Sequence, residues 1–166
     1  YRLGVDATRK FEVEGKMVEW KIAEQKEFTS YLQTHPQIQS FDYPLQGVLQ
    51  GCLIVSMKKQ QSGDVQNLMH ELWNQEEMAF NKFLIVVDED VDAKDTSKVA
   101  WKVFNNIDAK RDLEIVEVSD QNFGHRVGID ATKKTALDQH PRQWPNDIVM
   151  SDEIKEKVTR RWSEYG

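Results

Sequence analysis

The sequence predicts an α/β fold: a three-layer αβα sandwich with a mixed, largely parallel sheet built from βαβ units, plus a C-terminal helix. Three observations carry this. Cys52-Leu53-Ile54-Val55-Ser56-Met57 and Phe83-Leu84-Ile85-Val86-Val87 are short, nearly continuous apolar runs, as expected of strands covered on both faces in a parallel sheet. Between them Val65, Leu68, Met69, Leu72 and Trp73 recur at helical spacing and form one apolar stripe. A second helical stripe and an alternating polar/apolar segment follow, which continues the strand-helix-strand rhythm.

At the start of the chain, Arg2-Leu3-Gly4-Val5-Asp6-Ala7-Thr8-Arg9-Lys10 recurs as Arg126-Val127-Gly128-Ile129-Asp130-Ala131-Thr132-Lys133-Lys134, and Trp20 and Trp144 keep the same offset. This is a duplication, or two equivalent edge positions in the sheet. Ala23 to Thr34 is loosely helical and His35-Pro36 ends it, so residues 1–35 read as an N-terminal arm and residues 36–166 as the main domain. Phe41–Gly47 reads as an irregular aromatic connector. After the first apolar run, Ser62 or Asp64 is the expected cap of the helix that carries Val65 to Trp73.

Beyond the second run, Asp95 or Thr96 caps a helix whose Val99, Ala100, Val103, Phe104 and Ile107 are expected to face inward. Leu113–Val118 alternates, as a strand wet on one face does, and the repeat at Arg126–Thr132 supplies a further strand. Ser151-Asp152-Glu153 opens a last helix with Ile154, Val158 and Trp162 at four-residue steps. Acids in its first turn and Arg160-Arg161 in its last match the helix dipole. So narrow a stripe packs on its own sheet or reaches a neighbouring subunit, and a homo-oligomer through this helix is expected.

With 166 residues and 39% hydrophobic content, the chain can bury one core. Its net charge of −6 argues against a surface that attracts nucleic acid or anionic membrane. The single cysteine, Cys52, excludes an internal disulfide and any multi-cysteine metal site. Its place in an apolar run makes an inert thiol, and a cytoplasmic setting is expected. No stretch is long and apolar enough for a membrane span. The chain opens at Tyr1 amid strand-like residues, so it is expected to be a fragment of a longer protein.

Lys58 and Lys59 follow a strand and precede Ser62-Gly63-Asp64 at a helix start, a placement suited to holding a phosphate with a cation and backbone N–H groups. The acids Asp88, Glu89, Asp90, Asp92 and Asp95 offer oxygen ligands. However, the glycine and the final glutamate of a calcium loop are missing, so strand-end solvation and helix capping explain them better. His35, His70, His125 and His140 show no ligand spacing. No Ser-His-Asp order, paired carboxylates or metalloprotease motif occurs. No catalytic or metal residue is assigned, and Lys58 and Lys59 are the cofactor-binding candidates.

Five segments in order carry a resemblance: Gly51–Lys59 with Gly63, Phe83–Asp92, Asn105–Asp112, Gly128–Lys134, and Trp144-Pro145. Together they resemble the carboxyl-terminal domain of the UbiD family, carboxy-lyases of ubiquinone and menaquinone biosynthesis and of aromatic acid metabolism that use prenylated flavin mononucleotide (FMN). The resemblance covers about Phe41 to Gly166. It implies that an upstream flavin domain, which nothing here resembles, supplies the metal ligands and the Glu-Arg-Glu constellation of decarboxylation. It also implies that this domain covers the active site from one side and builds the oligomer. A lysine after the first strand contacts the cofactor phosphate, and it falls on Lys58 with Lys59 one residue away. No tightly bound cofactor is expected in this chain alone. Two departures stand out: only Ser119–His125 remains of a usually longer loop, and Tyr1–Lys21 has no counterpart. A different reading is a stand-alone signalling module, since Leu84–Asp90 also resembles the first strand and acid pair of a phospho-acceptor receiver domain. Asp120 is then a poor acceptor.

Overall fold

The computed structural model describes residues 4, 26–44, 51–78, 81–117, 125–141, 144 and 147–165. The first repeat copy apart from Gly4, residues 118–124 and Pro145 lie outside the described residues. The elements are α1 (Lys26–Thr34), β1 (Ile38–Asp42), β2 (Cys52–Met57), α2 (Asp64–Trp73), β3 (Phe83–Asp88), α3 (Thr96–Asn106), β4 (Leu113–Val116), β5 (Arg126–Asp130) and α4 (Asp152–Arg160). The strands form one sheet in the order β1-β2-β3-β5-β4. β2, β3 and β5 run parallel at its centre, while β1 and β4 pair antiparallel at its two edges.

The two apolar runs behave as expected of strands buried on both faces. Leu53, Val55, Met57, Leu84 and Val86 meet Phe28 and Leu32 of α1 and the α2 stripe in one cluster. Ile54 and Val87 meet Val99 of α3 in the other, with Ile85, Val103 and Ile107 packed against it. Successive strand residues point to opposite faces, so helices must cover both, and each such buried side chain contributes roughly 1.5–3 kcal/mol. α1 lies on the amino side of residue 35 and belongs to the same core as β2 and α2.

Four local expectations are corrected. β1 forms where a connector is expected, because Phe41 and Asp42 pair with Val55 and Ile54 and the Ser40 and Ser56 hydroxyls meet at 2.7 Å. Its edge position needs no apolar run, which is why the sequence did not announce it. The residue before α2 is Gly63, at φ 85, in the left-handed region that glycine tolerates. In α3, Phe104 is 83% exposed, whereas Lys102 and Asn106 are buried. At 100° per residue Phe104 lies well away from Val99, Val103 and Asn106, which share one arc. The second repeat copy is no edge strand, since β5 lies between β3 and β4.

Candidate functional site

The repeat motif builds a buried turn at the carboxyl end of β5. Asp130 Oδ1 accepts the Thr132 N–H at 3.0 Å and the Thr132 hydroxyl at 2.5 Å, an Asx turn. Asp130 Oδ2 lies 2.8 Å from Lys134 Nζ, which also approaches Asp112 Oδ1 at 3.4 Å and donates to the Asp130 carbonyl. Arg111 forks onto both Asp112 oxygens at 2.6 Å. Lys134, Asp112 and Asp130 are all buried, so this motif is a folding device. The turn then carries the chain across the ends of β3 and β2: Ala131 N–H donates to the Val86 carbonyl, and Lys133 N–H donates to Asp88 Oδ2 at 2.8 Å.

The two lysines after β2 have separate fates. Lys59 has a side chain only 7% exposed and donates to the Lys133 carbonyl at 2.7 Å and to Asp138 Oδ2 at 2.9 Å. Burial works to raise the Asp138 carboxyl, but the hydrogen bonds from Lys59 and Thr135 hold it below its ordinary range. Lys58 remains at the surface, its ammonium 3.7 Å from Glu89 Oε2 with both side chains half exposed. The helix start beyond them already holds a carboxylate. Asp64 Oδ2 accepts the Gln60 and Gln61 N–H groups at 2.8 and 3.0 Å, which removes the backbone anion site expected around Ser62–Asp64.

The acidic run divides into structural tasks. Asp88 accepts from Lys133, Asp92 Oδ1 accepts the Lys94 N–H, and Asp95 caps α3 by accepting the Lys98 N–H. Burial lifts the Asp88 carboxyl above its usual range, although the Lys133 N–H and the ammonium groups of Lys59 and Lys102 pull the other way. Among the described residues no three histidine, cysteine, aspartate or glutamate side chains stand close enough to hold a metal ion. His35 touches Glu71, His70 touches Glu114 and His140 accepts from the Trp144 indole, so these three share no centre. Burial raises the Cys52 thiol to about 11, which keeps it protonated and unreactive.

Sequence reasoning missed the pair Lys102 and Asp147, 2.9 Å apart, with the lysine buried at the strand-end edge. The available signal was a lysine three residues after Val99, on the inward arc of α3. Around this edge opens a cleft of about 410 Å³ that reaches from Met57 and Lys59 past Asp88 to Asp147. Farther along the chain, Ser151 caps α4 as expected, but the helix does not bury its stripe. Ile154 and Trp162 are exposed, and so are Ile148, Val149 and Met150 before it. No described helix is long and apolar enough to cross a membrane. A receiver domain has a doubly wound parallel sheet, whereas both edges here are antiparallel, and Asp120 lies outside the described residues.

Residues 18–131 match the family model of the 3-octaprenyl-4-hydroxybenzoate carboxy-lyase C-terminal domain. An uncharacterised protein of Archaeoglobus fulgidus is 33% identical over 140 residues, which is 78% of this chain and 29% of the relative. One of Aeropyrum pernix is 30% identical over 141 residues, again 29% of the relative. The chain therefore spans less than a third of the curated relatives it matches. Among solved structures, the open form of Sedimentibacter hydroxybenzoicus vanillic acid decarboxylase superposes with a TM-score of 0.65 at 21% identity, covering 82% of this chain and 32% of that one. The UbiD-class enzyme HmfF of Pelotomaculum thermopropionicum, in complex with FMN, superposes at 0.63 and 22% identity, covering 80% and 31%. These likenesses share the fold, and the family match is made by sequence. The chain belongs to the UbiD family as its carboxyl-terminal domain.

Proposed function

We propose that this chain is the assembly-forming and cofactor-covering domain of a larger decarboxylase. Its substrate is an aromatic or polyprenyl-hydroxybenzoate-type acid of quinone biosynthesis, handled in the cytoplasm. Prenylated FMN, with its metal, is bound mainly by an upstream domain, and non-oxidative decarboxylation is the chemistry it supplies there. This chain offers the cofactor phosphate one ammonium, that of Lys58. The supporting observation is the division of labour after β2: Lys59 is buried against two oxygens, which leaves Lys58 as the accessible cation of the pair. A phosphate approaching from outside the domain meets Lys58 and, among the described residues, needs to displace only the long contact to Glu89.

In the full-length enzyme that contains this chain, Lys58→Gln is expected to weaken FMN binding about tenfold, the loss of one charge-assisted hydrogen bond. Lys58→Arg should retain most of the affinity. Flavin fluorescence titration measures both, and an unchanged Kd in the Gln variant removes Lys58 from the cofactor site. The chain by itself, mixed with prenylated FMN and aromatic acids, is expected to release no CO₂. Turnover there would contradict the assignment of chemistry to an upstream domain.

The exposed apolar residues from Ile148 to Trp162 support a contact between copies through α4. Removal of Asp152–Gly166 is expected to lower the assembly mass seen by light scattering. A mass per particle that falls only by the deleted residues sinks this role.

A further inference from the structure

Three buried lysines stand at or near the carboxyl edge of the sheet, and they differ in how they are neutralised. Lys134 sits among Asp130, Asp112 and a backbone carbonyl, all buried. Lys59 is held by Asp138 and the Lys133 carbonyl. Lys102 has a side chain only 3% exposed, yet among the described residues its ammonium donates to Asp147 alone. Asp147 is 36% exposed, and Ile148 and Val149, which follow it, are open to solvent. A buried ammonium needs a counter-charge; the Asp88 carboxyl acts on Lys102 through space, and the hydrogen-bonded partner, Asp147, stands on a partly exposed residue.

Two clefts meet at this pair. The cleft of about 410 Å³ lies on one side, and a larger one of about 620 Å³ lies on the other, with Lys102 and Asp147 lining both. The larger volume is within the range of roughly 300–1,000 Å³ typical of small-molecule sites. Its wall carries Trp101, Trp144, Ile148 and Val149, and the Lys102 ammonium is 5.3 Å from the Trp101 ring centroid. Lys98, Lys133 and Asp90 also line this cleft, but Lys102 is the lysine beside the two indoles whose side chain is buried. A buried ammonium next to aromatic and aliphatic side chains suits a ligand with one carboxylate and an apolar body.

We infer that Lys102 is the anion-receiving residue of a subsite for apolar organic carboxylates, and that Asp147 keeps this subsite closed by occupying it with its own carboxyl group. The lowering of the Asp147 carboxyl by its hydrogen bond to Lys102 agrees with an ionised occupant. Ligand entry is an exchange of one carboxylate for another, so the buried ammonium keeps a counter-charge in both states. Affinity is then reduced by the fraction of time that Asp147 is bound. This subsite is independent of the role proposed for Lys58.

Sodium benzoate is the probe, titrated into the 166-residue chain by calorimetry at constant ionic strength, with benzyl alcohol as the uncharged control. Saturable benzoate binding is expected, at least tenfold weaker in Lys102→Met and about five- to tenfold tighter in Asp147→Asn. Benzyl alcohol should bind the wild type and the Asn variant alike. The Asn variant keeps the buried ammonium and presents no competing charge, so it decides the question even if Lys102→Met fails to fold. Unchanged or weaker benzoate binding in Asp147→Asn overturns the inference. So does inorganic phosphate binding as tightly as benzoate at this lysine, since the apolar wall would then contribute nothing.

Discussion

Gly128→Ala is expected to lower the stability of the domain by about 1–3 kcal/mol, the usual cost of overpacking a close contact. A Cβ at this position would lie 2.6 Å from Met69 Sδ and 2.9 Å from the Trp73 ring. Met69 can turn aside, but Trp73 is buried in the core cluster, so moving its ring disturbs the packing around it. α2 therefore rests directly on the backbone of β5, and the glycine is what permits that approach. For a domain of this size the change corresponds to a fall in Tm of roughly 2–4 °C per kcal/mol, which calorimetry resolves. Gly128→Val should be worse. Gly4 holds the same place in the first repeat copy, but it is exposed and a Cβ there meets no atom of the described residues within 4 Å. Gly4→Ala is expected to stay within about 0.5 kcal/mol of the parent. Equal losses at both positions would mean that the close approach of α2 is not what the motif glycine serves.

Lys134→Met is expected to cost more, about 3–5 kcal/mol, because removing one partner of a buried ion pair leaves the other charge uncompensated. Asp112 keeps Arg111 at 2.6 Å, so the carboxylate left in difficulty is Asp130, with a side chain 7% exposed. Adding Asp130→Asn should return part of the loss, since the amide oxygen can still accept from Thr132 without a buried charge. Denaturant unfolding of the two single variants and the double variant measures this coupling. Lys58→Met, at an exposed contact to Glu89, is the comparison and should change stability by no more than about 1 kcal/mol. Additive effects of the first two substitutions would mean that Lys134 and Asp130 do not stabilise each other.

Much of the architecture was legible in the chain because it depends on local periodicity. Six consecutive mostly apolar residues at Cys52–Met57 need cover on both faces in any fold, and Val65 to Trp73 at helical spacing supply it on one of them. The caps at Asp95 and Ser151 were also readable, since their bonds to Lys98 and Ile154 span three residues. Less readable were the features that depend on an unnamed neighbour. β1 exists because β2 offers it an edge. The strand-helix-strand rhythm continues through α3, but β4 then pairs antiparallel at the edge of the sheet, and Phe104 turns outward where the apolar count placed it inside.

The candidate site divides in the same way. The sequence by itself determined that a lysine pair follows the first central strand, that acids follow the second, and that a Gly-x-Asp-Ala-Thr motif occurs twice. Only the tertiary structure decided that Lys59 closes on Lys133 and Asp138, some 74 and 79 residues away, that Lys58 stays in solvent, and that Lys102 lies beneath Asp147 across 45 residues. The physical reason is that periodicity reports whether a segment has a face to bury. Whether a given ammonium is neutralised by carboxylates or left to meet a ligand is settled by residues distant in sequence, once the sheet brings the ends of β2, β3 and β5 to one edge.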